Sequence, residues 1–315
     1  MKINQSNSIY LAGHSGLLGS AILKSLIKEG YKNIITQTRK ELNLTNSNNT
    51  ELFINKNKPD CVIIAAGKTG GIEENKTIPF DLLNENLQIQ LSLLNASQKN
   101  NVKKVLFFGS SCMYPKSSLE PMTENMLLTG EMEKTSLAYA IAKISGIQMC
   151  LSLNQQFKKN TFIPLIPNSV YGPNDNFDPE KGHVLASLIN KFHNAKILNK
   201  KEVTLWGTGK PIREFVFSDD LADACLFILN SNISIIDQPI NISSGKEYSI
   251  LKLSSTIAKV VGFNGKIIWD LNKPDGTYRK SLNIDKMTNL GWKPKTSLEK
   301  GVLLTYNWYL KNINS

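Results

Sequence analysis

The chain has 315 residues, 41% of them hydrophobic and 20% charged, an ordinary composition for a globular protein long enough for one large α/β unit or two unequal domains. Its 37 Lys and Arg against 26 Asp and Glu give a formal charge of +11, but the lysines are scattered, with no arginine-rich or aromatic-interleaved patch. This argues against nucleic acid and leaves the excess charge for an anionic ligand.

Four widely separated cysteines (Cys61, Cys112, Cys150, Cys225), with no CxxC pair and no histidine at ligand spacing, argue against a disulfide framework or a metal site. The polar N-terminus reads as no signal peptide, and no apolar run approaches membrane-spanning length. A cytoplasmic protein is expected.

Ser8–Ala12 reads as a short buried strand, followed at once by Gly13-His14-Ser15-Gly16-Leu17-Leu18-Gly19 and an apolar-periodic helix over 20–29. In a strand–turn–helix unit the first glycine permits the tight turn, the second lets a pyrophosphate approach the backbone, and the third lets helix and strand pack closely. The helix N-terminus adds unpaired N–H groups and a positive dipole end. A second strand over 33–38 ends in Arg39, where an NAD site would carry an acid for the ribose 2′-OH. The guanidinium fork suits a 2′-phosphate and favours NADP, with Glu41 as the competing feature and a solvated charge as the plain alternative.

Helix and strand then alternate: a helix over 49–56, a strand over 61–66, a long helix over 80–100 and a strand over 105–108. This predicts parallel βαβ units in a doubly wound Rossmann sheet, with ligands beyond the carboxyl ends of the strands. The segments 67–71 and 109–115 fall there. In a helix over 135–157, Tyr139 and Lys143 lie one turn apart on one face. An ammonium beside the phenol would lower its ordinary value near ~10, as proton transfer requires. By itself the pair also fits a core tyrosine beside a solvated lysine. Ser110, at a strand's C-terminal end, supplies a hydroxyl facing that phenol.

The glycine loop, Ser110 and Tyr139-x-x-x-Lys143 resemble the extended short-chain dehydrogenase/reductase superfamily. The blocks 109–116, 139–146, 171–177, 207–209 with 213–215, and 273–277 are similar to the GDP-L-fucose synthase family in order and spacing, over nearly the whole chain. That resemblance implies an NADPH-dependent enzyme that epimerises GDP-4-keto-6-deoxy-D-mannose at C3 and C5 and reduces C4. Tyr139, Lys143 and Ser110 would serve the reduction, and Cys112 and His183 the epimerisation. Cofactor contacts would come from 13–19, Arg39, Leu44, Ala66, Gly67, Lys143, Pro167, Val170 and His183. Substrate contacts would come from Ser111, Ser169, Lys191, Trp206, Arg213 and Asp275. The plain alternatives are a small buried residue for Cys112, a loop histidine for His183 and core packing for Trp206.

The chain departs from the family around the sugar. Asn168-Ser169 stands where the family reads Thr-Asn, Ser136-Leu137-Ala138 replaces Asn-Glu-Pro, and Gly182 and Ala186 flank His183 in place of serine and proline. A related sugar such as a GDP-4-keto-6-deoxyheptose, with reduced epimerisation, is therefore the alternative substrate. An NAD-retaining 4-epimerase is a more distant one, and no acid stands beside Ser110 as a dehydratase would want. The domain expectation is a cofactor unit over 1–167, rejoined by 212–242, and a smaller C-terminal α/β substrate unit over 168–315. By analogy, the long helices 80–100 and 135–157 would form a homodimer interface.

Overall fold

Strands covered by helices on both faces have no polar side to show, so they read as near-continuous apolar runs. Cys-Val-Ile-Ile at 61–64 and Lys-Val-Leu-Phe-Phe at 104–108 are such runs, and every residue in them is buried. In a computed structural model of the chain, which describes residues 2–232, 237–273 and 275–313, both lie at the centre of a parallel sheet. Pro274 of the 273–277 block and residues 233–236 of the 212–242 segment fall outside the described residues.

The elements run β1 (Ser8–Ala12), α1 (Leu17–Lys28), β2 (Asn33–Ile35), α2 (Ser47–Asn57), β3 (Cys61–Ile64), α3 (Ile72–Thr77), α4 (Pro79–Lys99), β4 (Lys104–Phe108), α5 (Leu137–Phe157) and β5 (Phe162–Pro167). They continue through β6 (Ser169–Tyr171), α6 (Val184–Ile197), β7 (Glu202–Trp206), β8 (Ile212–Phe217), α7 (Ser218–Asn230), β9 (Ile240–Ile242), β10 (Glu247–Ser249), α8 (Ile250–Val261), β11 (Lys266–Asp270), β12 (Arg279–Lys280), α9 (Asp285–Asn289) and α10 (Leu298–Asn312). The main sheet has the order β2-β1-β3-β4-β5-β9, parallel throughout. The chain reverses direction across the sheet at β1, between β2 and β3, so a ligand crevice is expected at that switch point.

Side chains alternate along these strands. Ile9, Leu11, Ile63 and Leu106 point to α1 and α7; Tyr10, Ala12, Val62, Ile64 and Phe107 point to the face covered by α2, α4 and α5. Of segment 212–242, β8 pairs with β6, β10 and β12 in a small mixed sheet, α7 packs on α1, and β9 extends the main sheet beside β5. Met287 and Trp292 also enter the first core. A third core joins α6, α8 and α10 to the aromatic side chains of β8.

Two expectations need correction. The second strand stops at Ile35, because this edge strand has only three partners on β1 and the chain then turns at 38–41 to form a groove wall. And one helix, Lys134–Phe157, is long and apolar enough by length and composition to cross a membrane. No uninterrupted apolar run marks it, since Lys143 and Gln148 break the stretch; here it lies along α4 and β4.

The placement of α5 has a local cause. A Cβ on Gly146 would drive into the Phe107 ring, so only glycine lets the helix press onto β4 at this point. The buried Gln90 amide donates to Ala142 O at 2.7 Å and fixes the helix register. Together these hold Tyr139 and Lys143 over the end of β4.

Lys104 has a purely structural role. Its buried ammonium donates to Ile228 O, Leu229 O and Ser231 O at 3.0–3.1 Å, closing the C-terminal end of α7. Burial pulls its pKa down to about 8, so desolvation offsets part of what the three bonds contribute. Lys104→Met is expected to cost about 1–3 kcal/mol in urea unfolding; an unchanged midpoint would contradict this role.

Candidate active site

The switch point carries a groove of about 470 Å³ lined by Gly13 to Gly16, Thr38, Arg39, Leu44, Ala66, Gly67, Lys68 and Glu85, among others. Gly13 has φ +83°, and a Cβ there would sit 2.6 Å from Ala66 N. A Cβ on Gly19 would drive into Gly13 O, whereas one on Gly16 meets only Gly13 O at 3.7 Å, leaving that backbone open to the groove. Leu17 and Leu18 open α1, three residues earlier than expected, with Gly16 as the cap residue. The His14 Nδ1 is buried with no hydrogen-bond partner among the described residues. An open glycine backbone, a free helix N-terminus and an orphaned nitrogen in one groove fit a dinucleotide diphosphate.

Arg39 stands at the groove with its side chain 73% exposed, paired with Glu85 at 3.2 Å. Glu41 turns back instead, accepting from Thr38 N and Thr38 Oγ1 at 2.8 Å each, bonds that hold its carboxyl below the usual range. The cation is therefore the group left available to a 2′-substituent.

Beyond the groove, β4 ends at Phe108 and a short turn over Ser111–Met113 follows, with Ser110 Oγ accepting from Cys112 N at 3.3 Å. The Ser110 hydroxyl is close enough to the Tyr139 phenol to favour its ionised form. Lys143 Nζ donates to Phe108 O at 3.1 Å and lies 3.4 Å from where a Cβ on Gly67 would sit, so its ammonium borders the groove.

The expectation that Lys143 lowers the phenol is corrected. Burial pushes Tyr139 up, the nearby Cys112 adds to the rise, and the Ser110 hydroxyl offsets part of it. The ammonium lies 5.8 Å from the centre of the Tyr139 ring and is committed to a carbonyl, and burial pulls it down to about 8. The phenol is thus held neutral, the state a proton donor needs.

Cys112 is half-buried, 3.7 Å from Lys280 Nζ. Burial raises the thiol, but Lys280, the Ser110 hydroxyl and His183 outweigh it, and the net shift is downward. His183 precedes α6, its side chain 53% exposed, with Nδ1 3.6 Å from an Asp175 carboxylate that is only 3% exposed. That carboxylate raises the imidazole above its usual value against the pull of burial. Asp175 Oδ1 also accepts from Asn176 N, while Oδ2 is buried with no partner among the described residues. A thiol biased toward thiolate and an imidazole biased toward imidazolium, each sensing the other's charge, have the protonation states that a base and an acid require.

Toward the substrate side, Arg213 lies on β8 with its guanidinium held below its usual value by burial, and Asp275 is close enough to act on it. Asp275 accepts from Thr208 N at 2.9 Å and Thr208 Oγ1 at 2.6 Å. Trp206 is 65% exposed with Lys273 Nζ 5.4 Å over its ring, so core packing is excluded for it. Lys191 is half-buried on α6, about two turns beyond His183.

Not every expected residue faces these openings. Ser111 is buried at the start of the turn, Pro167 is buried at the end of β5, and half-buried Val170 packs against the first core. The Asn168 amide is 4% exposed and donates to Glu214 Oε2 at 2.9 Å, while Asn168 Oδ1 accepts from Ser169 N. It turns away from the cleft into a buried cluster in which Glu214 also accepts from Leu282 N and Gly245 N.

Sequence reasoning missed Lys280 and the role of Asp175. Asp175 lay within the 171–177 block and could have been read as the carboxylate nearest His183. Lys280 carries no such signal: the β8–β12 pairing and Glu120, which accepts from Ser281 N at 2.6 Å, bring it to Cys112. Lys280→Met is expected to raise the Cys112 pKa, so that any reaction needing its thiolate shifts its pH profile upward and slows at pH 7. An unmoved profile for thiol alkylation would contradict this.

Comparison with known proteins places the chain. The NAD dependent epimerase/dehydratase family matches residues 9–243. GDP-L-fucose synthase 1 of Arabidopsis thaliana is 47% identical over 98% of this chain and 95% of its own length. Among solved structures, a GDP-6-OMe-4-keto-L-xylo-heptose reductase from C. jejuni is 34% identical, with 99% of each chain covered and a TM-score of 0.91. A GDP-L-fucose synthetase from Naegleria fowleri bound to NADP is 28% identical, with 100% of this chain and 96% of that one covered and a TM-score of 0.92. The chain belongs to the NAD dependent epimerase/dehydratase family and, within it, to the GDP-L-fucose synthase family.

Proposed function

We infer that the protein is an NADPH-dependent 3,5-epimerase/4-reductase that converts GDP-4-keto-6-deoxy-D-mannose to GDP-L-fucose. The observation that carries this reading is the convergence of Ser110, Tyr139, Cys112 and His183 beyond the end of β4, beside a groove fitted to a dinucleotide. The Arabidopsis relative bears that synthase name, and the Naegleria structure holds NADP.

A C4 ketone acidifies the hydrogens on C3 and C5. The Cys112 thiolate takes one of these protons, and the C–H electrons move onto the C4 oxygen, where Ser110 and Tyr139 hold the developing charge. The His183 imidazolium returns a proton to the opposite face of the same carbon. Bound NADPH supplies the hydride for C4. Tyr139 then gives its phenolic proton to the C4 oxygen, and Lys143, at the groove edge, binds the cofactor's ribose end. Arg39 meets the 2′-phosphate, Arg213 and Lys191 the diphosphate, Asp275 a ribose or sugar hydroxyl, and Trp206 the face of the base. Pro167 and Val170 would border the nicotinamide end, and Ser169 would be the polar group that β6 offers the sugar.

A second reading, C4 reduction of a GDP-4-keto-6-deoxyheptose, is favoured by one feature. The Asn168 amide is committed to Glu214, which removes a polar group from the sugar's surroundings. Assaying the hexose and heptose 4-keto substrates side by side decides between them: turnover of the hexose alone removes the heptose reading, and turnover of the heptose alone removes the fucose one.

The enzyme acts as a homodimer through α4 and α5, where Phe80, Leu91, Leu137 and Ile141 expose apolar surface. It works in the cytoplasm, in keeping with cysteines that are all free.

A further inference from the structure

Four charged side chains form a chain of ion pairs along one edge of the dinucleotide groove. Arg39 Nη2 lies 3.2 Å from Glu85 Oε2, Lys68 Nζ lies 2.7 Å from Glu85 Oε1, and the same Lys68 Nζ lies 3.3 Å from Asp81 Oδ2. Arg39 comes from the turn after β2, Lys68 from the loop after β3, and Glu85 and Asp81 from α4, so the pairs tie together three separate segments at the groove. Arg39, Lys68 and Glu85 all line it. The Arg39 end of this chain is the loosely held one: its side chain is 73% exposed, whereas Glu85 is 20% exposed and sits between two cations.

We propose that Glu85 is a specificity-determining residue that competes with the cofactor's 2′-phosphate for Arg39. This rests on the reading of Arg39 as the 2′-phosphate partner. With a cofactor lacking that phosphate, Arg39 stays on Glu85. A 2′-phosphate offers the guanidinium a doubly charged, bidentate acceptor in place of a carboxylate, and Arg39 moves to it. Glu85 is not left uncompensated by that move, because Lys68 keeps it paired, and Glu85 with Asp81 holds Lys68 charged. The remaining carboxylate still repels the incoming phosphate. Glu85 therefore lowers the affinity for NADP specifically and sets how strongly the groove prefers NADP over NAD.

The test is calorimetric binding of NADP⁺ and NAD⁺, without sugar, to the full-length protein and to Glu85→Gln, Arg39→Ala and the double variant. Glu85→Gln is expected to tighten NADP⁺ about two- to fivefold, the scale of a partly exposed ion pair, and to leave NAD⁺ unchanged. Arg39→Ala is expected to weaken NADP⁺ at least about tenfold, and the gain from Glu85→Gln is expected to shrink in its background. Unchanged or weaker NADP⁺ binding in Glu85→Gln, an equal gain for NAD⁺, or a full gain without Arg39 would each overturn the proposal. Wild-type protein that binds NAD⁺ as tightly as NADP⁺, with Arg39→Ala silent, would overturn the NADP reading itself. Melting temperatures of the unliganded variants, with Glu85→Ala as a second replacement, separate lost folding from altered binding.

Discussion

Tyr139→Phe is expected to lower kcat for C4 reduction by about 10²–10⁴-fold, the range that a positioned general acid contributes. The variant keeps the ring, its packing and its distance to Lys143, and loses only the hydroxyl, the group proposed to protonate the C4 oxygen. Burial holds that phenol neutral, so the wild-type enzyme carries the needed proton across the neutral range without a titration of its own. Among its neighbours, Lys143 is pulled down to about 8. Rapid NADPH oxidation measured with saturating keto sugar checks the prediction, and a loss smaller than about threefold would remove the phenol from the proton-donor role.

Cys112→Ala is expected to separate the two halves of the reaction. Incorporation of solvent deuterium at C3 and C5 should fall by at least about 10²-fold, while direct C4 reduction survives, because only the first step needs a base on carbon. The thiol is suited to act as that base, since Lys280 at 3.7 Å, Ser110 and His183 together hold its pKa below the usual thiol range despite burial. A lowered thiol pKa enlarges the thiolate fraction on the acidic side of the ordinary range, and an imidazole raised by Asp175 keeps its proton on the alkaline side of its own. The exchange therefore has a pH window in which thiolate and imidazolium coexist. Losing Lys280 should narrow it from the acid side, and losing Asp175 from the alkaline side. NMR of the recovered sugar reads this out; unaltered deuterium content in Cys112→Ala would exclude the thiolate as the base.

Much of this was legible in the chain because the informative residues act locally. The 13–19 loop joins a strand to a helix within seven residues, and the closeness of helix to strand demands glycine at 13 and 19 whatever the rest of the protein does. Arg39 could be placed because the end of the second strand faces the ribose in such sheets. Tyr139 and Lys143 share a helix face by spacing alone.

What could not be read depended on partners distant in the chain or on burial. Lys280 reaches Cys112 across 168 residues through a two-residue strand. Glu85 looks like any helical carboxylate until the loop bearing Lys68 and the turn bearing Arg39 fold against it. Trp206 was ambiguous because an aromatic side chain serves a core as readily as a cleft, and only its exposure decides. The direction of the Tyr139 shift escapes the sequence for a related reason: spacing reports a neighbouring charge, but not the desolvation that outweighs it.

The reaction itself is tested most directly with GDP-4-keto-6-deoxy-D-mannose and NADPH in D₂O, following absorbance and then the product by NMR. The expected result is NADPH oxidised in equal amount to sugar consumed, with deuterium at C3 and C5 of the product. Conversion of the sugar without loss of NADPH would contradict it.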